Sequence, residues 1–102
     1  MRVISRRRLR LFWEHHAAAE EPLRRWYQLA RNAHWKTPSD VKRTFGSADL
    51  VKVKSGNTVT VFNLGGNKYR LVAAVHYDYP RVFVLRVMTH EEYDANKWQE
   101  AL

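Results

Sequence analysis

The first half of the chain carries its apolar residues at the three- and four-residue spacing typical of helices. Ser5 can cap a helix that runs to about His16, and two acidic residues before Pro22 indicate the start of a second helix. Thr37, directly before a proline, indicates a third helix over residues 38–45. The apolar stripes of the first two helices comprise Leu9, Phe12, Trp13, His16, Leu23, Trp26, Tyr27 and Ala30.

In the second half the period changes to two and β-branched residues become frequent. Glycine- or proline-containing turns separate these segments, which predicts an antiparallel meander. Thr89 and Glu92 have the spacing of a capping box, so a short final helix is expected to begin at His90. An α+β fold is therefore predicted. Its strands comprise a short one at residues 3–4 and four others at residues 51–54, 58–63, 69–77 and 81–88.

The register of the last hairpin decides whether two arginines share a face. If the turn at residues 78–80 places Tyr77 opposite Arg81, then Arg70 faces Met88 and lies diagonal to Arg86. Both Arg70 and Arg86 would then emerge on one face of the sheet. A register shifted by one residue would separate them, because side chains alternate along each strand.

The hairpin through Gly56 carries two lysines. The pattern predicts Lys52 opposite Thr60 and Lys54 opposite Thr58, so that both lysines share one exposed face. The pattern leaves open whether this is also the face of the arginines.

Composition narrows the class of partner. The 102 residues suit one domain spanning residues 1–102, and a formal net charge of +8 with 45% hydrophobic residues favours a folded domain with a polyanionic partner. RNA, DNA, an anionic membrane surface or an acidic protein could supply that charge. The absence of cysteine excludes disulfides, thiolate nucleophiles and cysteine zinc sites. No segment has the pattern of a signal peptide or a spanning helix, so a soluble cytoplasmic protein is expected.

One block of the chain resembles a known family. Residues 63–94, with the motifs NLGGNKYRLVAAV and VMTHEEYD, resemble the HigB family of type II toxin–antitoxin toxins, which belongs to the RelE-like superfamily. The resemblance implies N-terminal helices packed on a twisted antiparallel sheet with a short C-terminal helix. It implies cleavage of mRNA on the translating ribosome, and inhibition by a HigA-like helix-turn-helix antitoxin. Operator DNA would be contacted only indirectly through that antitoxin, and no membrane partner is expected.

The chemistry implied by this resemblance is attack of a ribose 2′-hydroxyl on the neighbouring phosphate, which needs no metal and no cofactor. Arg70 and Arg86 suit the stabilisation of charge on phosphate oxygens, because guanidinium is a fixed fork of donors that stays charged. His90 suits proton transfer. Tyr93 could stack on a base, orient the phosphate or transfer a proton. The sequence leaves open which residue is the general base and which is the general acid.

Other interpretations of these residues stand beside the catalytic one. The two arginines could be exposed strand residues, His90 a helix-start residue with a local hydrogen bond, and Tyr93 part of the core. Lys52 and Lys54 are expected to hold RNA by long-range attraction, and Lys68 either to do the same or to balance charge at the phosphate. The arginines at positions 6, 7, 8 and 10 favour a solvated helix face over an RNA contact.

Three functional classes follow from these alternatives. The first is a ribosome-dependent endoribonuclease neutralised by an antitoxin. The second is a non-catalytic RNA- or DNA-binding module, and the third is a regulatory protein that retains only the antitoxin contact.

Overall fold

The computed structural model describes residues 1–102 as a five-stranded sheet with helices on both faces. The strands follow one another in space in the order β1-β5-β4-β3-β2. Short 3₁₀ turns at Ala17–Ala19 and Lys97–Ala101 complete the chain. The elements are β1 (Arg2–Ile4), α1 (Arg6–His15), α2 (Glu20–Asn32), α3 (Pro38–Thr44), β2 (Asp49–Lys52), β3 (Thr58–Leu64), β4 (Tyr69–His76), β5 (Arg81–Thr89) and α4 (His90–Asp94).

Strands β2 to β5 form the predicted antiparallel meander. The expectation of a purely antiparallel sheet is wrong, because β1 pairs with β5 in parallel and makes the sheet mixed. Val3 lies beside Val82 in this pairing. Parallel neighbours need a long crossover connection, and here the crossover consists of the three helices and the first three strands of the meander.

All four helices begin where the sequence predicts, and two of the three expected caps form. Asp40 accepts the N–H of Thr37 at 3.1 Å, and Glu92 accepts the N–H of Thr89 at 3.0 Å, which closes the reciprocal caps of α3 and α4. Ser5 precedes α1 as predicted, but its φ of 73° places it in the left-handed region and its side chain makes no capping hydrogen bond. The expected Ser5 side-chain cap is therefore wrong.

The sheet buries a hydrophobic cluster on each face. Helices α1 to α3 cover one face, where Trp26 packs edge-on against Phe62 with 5.4 Å between ring centroids. The hydrophobic cluster on the other face is smaller, and Trp98 from the C-terminal turn covers it together with Tyr93 from α4. None of the helices combines the length and the apolar character needed to span a bilayer.

The β4–β5 register differs from the prediction at the turn but agrees with it farther along the strands. His76, not Tyr77, lies opposite Arg81, because the turn begins one residue earlier than expected. A bulge then gives β5 one extra residue, so that Arg70 lies opposite Met88 as predicted. The bulge cancels the one-residue shift that would have separated the two arginines.

The hairpin through Gly56 is tighter than the pattern suggested. Lys52 lies opposite Thr58 rather than Thr60, and Lys54 lies in the turn that follows β2 rather than opposite Thr58. The N–H of Val53 donates to the carbonyl of Asn57 at 2.9 Å and closes this turn. The prediction that both lysines stand on one strand face is therefore wrong.

Candidate functional site

The glycine turn between β3 and β4 shapes the candidate site. Gly65, Gly66 and Asn67 all have positive φ, between 60° and 71°, so this turn places three successive residues in the left-handed region. A Cβ atom at Gly65 would lie 2.9 Å from the ring of Tyr69, so no larger residue fits there without a shift. The turn directs two carbonyls toward the site: that of Asn67 accepts from Arg70, and that of Lys68 accepts the N–H of His90.

Arg70 is the centre of the candidate site. Its side chain is nearly buried, with the residue 8% exposed, although a guanidinium is always charged. One terminal nitrogen donates to the carbonyls of Asn67 and Tyr69 at 2.8 and 3.2 Å. No carboxylate of the chain lies within 4.0 Å of the guanidinium. The cation is therefore held by neutral acceptors, which is the arrangement of a site that binds an anion.

His90 lies between a cation and a carboxylate. Its Nδ1 is 3.0 Å from Nη2 of Arg70, and its Nε2 is 2.9 Å from Oδ2 of Asp94. Because arginine can only donate, Nδ1 must be the acceptor, and Nε2 must carry the proton that is donated to Asp94. The two contacts fix one neutral tautomer of the imidazole.

Tyr93 packs between Arg70 and the C-terminal turn. The guanidinium carbon of Arg70 lies 5.4 Å from the centroid of the Tyr93 ring, and the ring stacks on Trp98 with centroids 5.2 Å apart. The indole N–H of Trp98 also donates to the carbonyl of Tyr93 at 3.1 Å. Partial burial raises the pKa of the Tyr93 hydroxyl above its ordinary value of 10.0, against the opposing effect of Arg70. The phenol therefore remains a proton donor at neutral pH.

Arg86 lies beside this cluster without joining its hydrogen bonds. It pairs with Val72 across the strands, two positions from Arg70, as the diagonal register requires. Its guanidinium donates to the carbonyl of Leu85 at 2.7 Å and lines a groove next to α1. The structure thus brings three of the four predicted site residues into contact and places the fourth alongside.

The three lysines differ in their relation to the site. Lys68 belongs to the glycine turn, its side chain is exposed, and its carbonyl is bonded to His90. Lys52 is on the same face of the sheet as Leu50 and its partner Thr60, and Arg70 is on the opposite face. Lys54 is exposed in its turn. Only Lys68 is adjacent to the arginine.

Two contributions to the site were not anticipated from the sequence. Asp94 follows His90 by four residues, and that spacing places two side chains on the same face of a helix, so the pair could have been found from the sequence. The carbonyls of Asn67 and Lys68 are backbone groups whose direction depends on the conformation of the turn. No residue pattern specifies that direction beyond the glycines themselves.

This arrangement can bind an oxyanion and move a proton beside it. Arg70 offers donors, and Tyr93 offers a hydroxyl that stays protonated. His90 offers an imidazole whose tautomer is fixed by Arg70 and Asp94. A phosphodiester is an anion whose cleavage requires these functions.

Comparison with known proteins identifies the family of the chain. The model of the HigB toxin family, described as the RelE-like toxic component of a toxin–antitoxin system, matches residues 19–96. The match covers more than half of the chain and includes every candidate site residue. The match places the chain in the class of RelE-like toxin components. The chain belongs to the HigB toxin family, as its residues 63–94 suggested.

Curated relatives align with part of the chain. It is 39% identical over 61 residues to the mRNA interferase toxin HigB of Escherichia coli strain K12, which covers 60% of this chain and 57% of that protein. The mRNA interferase HigB of Shigella flexneri gives the same values. The mRNA interferase HigB of Escherichia coli O6:H1 is 29% identical over 68 residues, which cover 67% of this chain and 64% of that protein. In each case the match spans less than two thirds of the relative.

Proposed function

We propose that this protein is an endoribonuclease that cleaves mRNA on the translating ribosome and is neutralised by a HigA-like antitoxin. Family membership supports the toxin role, and the names of the relatives support an mRNA substrate. The observation that carries the proposal is Arg70, a nearly buried guanidinium with no carboxylate within 4.0 Å that contacts both His90 and Tyr93. Burial of an unpaired charge is costly, so a phosphate at this point would complete the site.

The contacts suggest a role for each residue. A phosphate oxygen that binds Arg70 draws the guanidinium from Nδ1 of His90, since both compete for the same donors. The freed Nδ1 then accepts the proton of the 2′-hydroxyl as that oxygen attacks phosphorus. Asp94 remains on Nε2 and stabilises the imidazolium that forms, as a positioning residue. Tyr93 donates its proton to the departing 5′-oxygen, which gives a cyclic phosphate and a 5′-hydroxyl end.

The test is to map mRNA 5′ ends on programmed ribosomes for the wild type, His90→Gln and Tyr93→Phe. His34→Gln and Tyr79→Phe are matched controls, because both residues are exposed and lie outside the site. We expect new 5′ ends with the wild type and both controls, and a loss of at least about a hundredfold with the site variants. Circular dichroism of each variant checks that the fold is retained.

Two results would contradict the proposal. An intact message with the folded wild type on several codons would leave the non-catalytic RNA-binding or antitoxin-binding roles in its place. Cleavage by His90→Gln and Tyr93→Phe at the wild-type rate would retain the nuclease but remove its chemistry from this site.

A further inference from the structure

A groove lies between α1, β5 and the start of α4. It has a volume of about 440 Å³ and we call it the α1 groove. Two of its residues are close to the candidate site in the fold. Arg86 lies opposite Val72, which is two positions after Arg70 on β4, and Glu92 follows His90 in α4. The side chains that carry the argument are Arg8, Leu11, Phe12, His16, Arg86 and Glu92.

The charge of the α1 groove is positive and unpaired. Neither Arg8 nor Arg86 has a carboxylate within 4.0 Å. Glu92 is the only acidic residue that lines the groove, and its carboxylate already accepts the N–H of Thr89 at 3.0 Å. Two guanidinium groups are therefore available to one anionic ligand.

The wall formed by α1 is aromatic. Phe12 and His16 are stacked, with ring centroids 4.3 Å apart and an angle of 20° between their planes. Tyr69 meets Phe12 edge-on at 5.7 Å and holds that ring in place. Leu11, 43% exposed, adds apolar surface next to this pair. Stacked rings beside free cations are the means by which proteins bind unpaired nucleotides, with the base on the ring and the phosphate on the cation.

We propose that the α1 groove binds the nucleotide next to the cleaved phosphate. Arg8 and Arg86 hold the phosphate of that nucleotide, and its base stacks on the pair formed by Phe12 and His16. This inference rests on the proposed function, because it takes the phosphate at Arg70 as the start of the bound strand. Its ligand is single-stranded RNA, and the groove gives the strand a direction across β5 toward α1.

The experiment uses an RNA with 2′-fluoro groups throughout, which binds but lacks the attacking hydroxyl. A 4-thiouridine placed at each position in turn is photocrosslinked to the full chain. Affinity is measured by fluorescence anisotropy at several salt concentrations for the wild type, Arg8→Gln and His16→Ala. Arg7→Gln and His34→Ala are the matched controls, since both residues are exposed and neither lines the α1 groove.

We expect one thiouridine position to crosslink to α1. Arg8→Gln should weaken RNA binding about tenfold. It should also lower the slope of the logarithm of the binding constant against the logarithm of the salt concentration by about one, as loss of one phosphate contact does. His16→Ala should weaken binding about tenfold with the slope unchanged, because stacking involves no counterion. The two controls should stay within about twofold of the wild type.

Three results overturn the inference. The first is that no thiouridine position crosslinks to α1. The second is that Arg8→Gln and Arg7→Gln weaken RNA binding equally. The third is that Arg8→Gln loses affinity for poly-glutamate while it binds RNA as the wild type does. The last result would assign the groove to an acidic polypeptide. Cleavage on programmed ribosomes is measured in parallel. Groove variants that bind and cleave like the wild type refute only the groove, whereas a wild type that crosslinks at α1 but never cleaves refutes only the nuclease.

Discussion

Arg70 and His90 are 20 positions apart in the chain, yet Nη2 of Arg70 lies 3.0 Å from Nδ1 of His90. The strand pairing accounts for this proximity, because Tyr69 lies opposite Thr89 and places the two following residues at the same end of the hairpin. The contact couples the charge of the guanidinium to the tautomer of the imidazole. In the proposed mechanism, both the binding of the phosphate and the transfer of the proton depend on this contact.

Replacement of Arg70 should separate activity from stability. Arg70→Met removes a nearly buried charge and keeps an unbranched apolar chain, so we expect the free energy of unfolding to stay within about 1 kcal/mol of the wild type or to rise. The cleavage rate of Arg70→Met should fall by at least about a hundredfold. The cleavage rate of Arg70→Lys should fall nearly as far, because lysine lacks the fork of donors of a guanidinium. Urea denaturation and cleavage assays measure the two quantities. A large loss of stability in Arg70→Met would instead make Arg70 a structural residue.

Asp94 should act through His90. In Asp94→Asn the side chain no longer stabilises the imidazolium, and we expect cleavage to slow by about tenfold, or about 1.4 kcal/mol, with the fold retained. The exposure of both side chains keeps this effect moderate. Nitrogen-15 shifts of His90 should show a weaker preference for the Nε2–H tautomer in the variant. Asp78→Asn is the control, and an unchanged tautomer would argue against the positioning role.

The cap of α4 should matter more for activity than for stability. Thr89→Ala removes the oxygen that accepts the N–H of Glu92 at 3.2 Å and should cost about 1 kcal/mol of unfolding free energy. Because His90 is the first residue of α4, fraying there displaces the imidazole from Arg70, and cleavage should fall by more than tenfold. Thermal unfolding and cleavage are compared with those of Thr58→Ala. If the activity loss matched only the loss of folded protein, the cap would have no separate role.

Alkaline pH should destabilise the protein through two tyrosines. Burial raises the pKa of both Tyr77 and Tyr93 above 10.0, and Asp40 adds to the shift at Tyr77. As pH rises, the phenols therefore lose their protons in the unfolded state before they do so in the folded state, and this favours unfolding. The free energy of unfolding is therefore constant with respect to these groups below about pH 10 and decreases above it. Urea midpoints at about pH 8 and about pH 11 measure the loss. It should be smaller in Tyr77→Phe and Tyr93→Phe, and unchanged in Tyr79→Phe, whose side chain is 72% exposed.

Local signals account for what the sequence predicted well. The capping boxes at Thr37 and Thr89 involve residues three positions apart, and both form. The meander likewise follows from turns that join neighbouring strands. The parallel pairing of β1 with β5 joins opposite ends of the chain, and nothing in residues 2–4 specifies that partner.

The candidate site shows the same limit. Arg70 and Met88 were paired correctly, although the turn that fixed the predicted register was misplaced by one residue. The sequence around the bulge, VFVLRV, is apolar apart from Arg86 and gives no sign that one residue is extra. The guanidinium of Arg86 could not be located in advance either, because the α1 groove exists only after α1 docks on β5.

The parallel pairing of β1 implies an order of assembly for the molecule. Arg70, His90 and Tyr93 come from one hairpin and the helix that follows it, so closing this unit involves short loops. The α1 groove needs the opposite ends of the chain to meet, which is entropically harder and should occur later in folding. The same difference should persist in the native protein, with amides of β1 and α1 exchanging before those of β4 and β5. A transient opening would then detach the wall that carries Phe12 and His16 while the hairpin keeps Arg70 and His90 in contact.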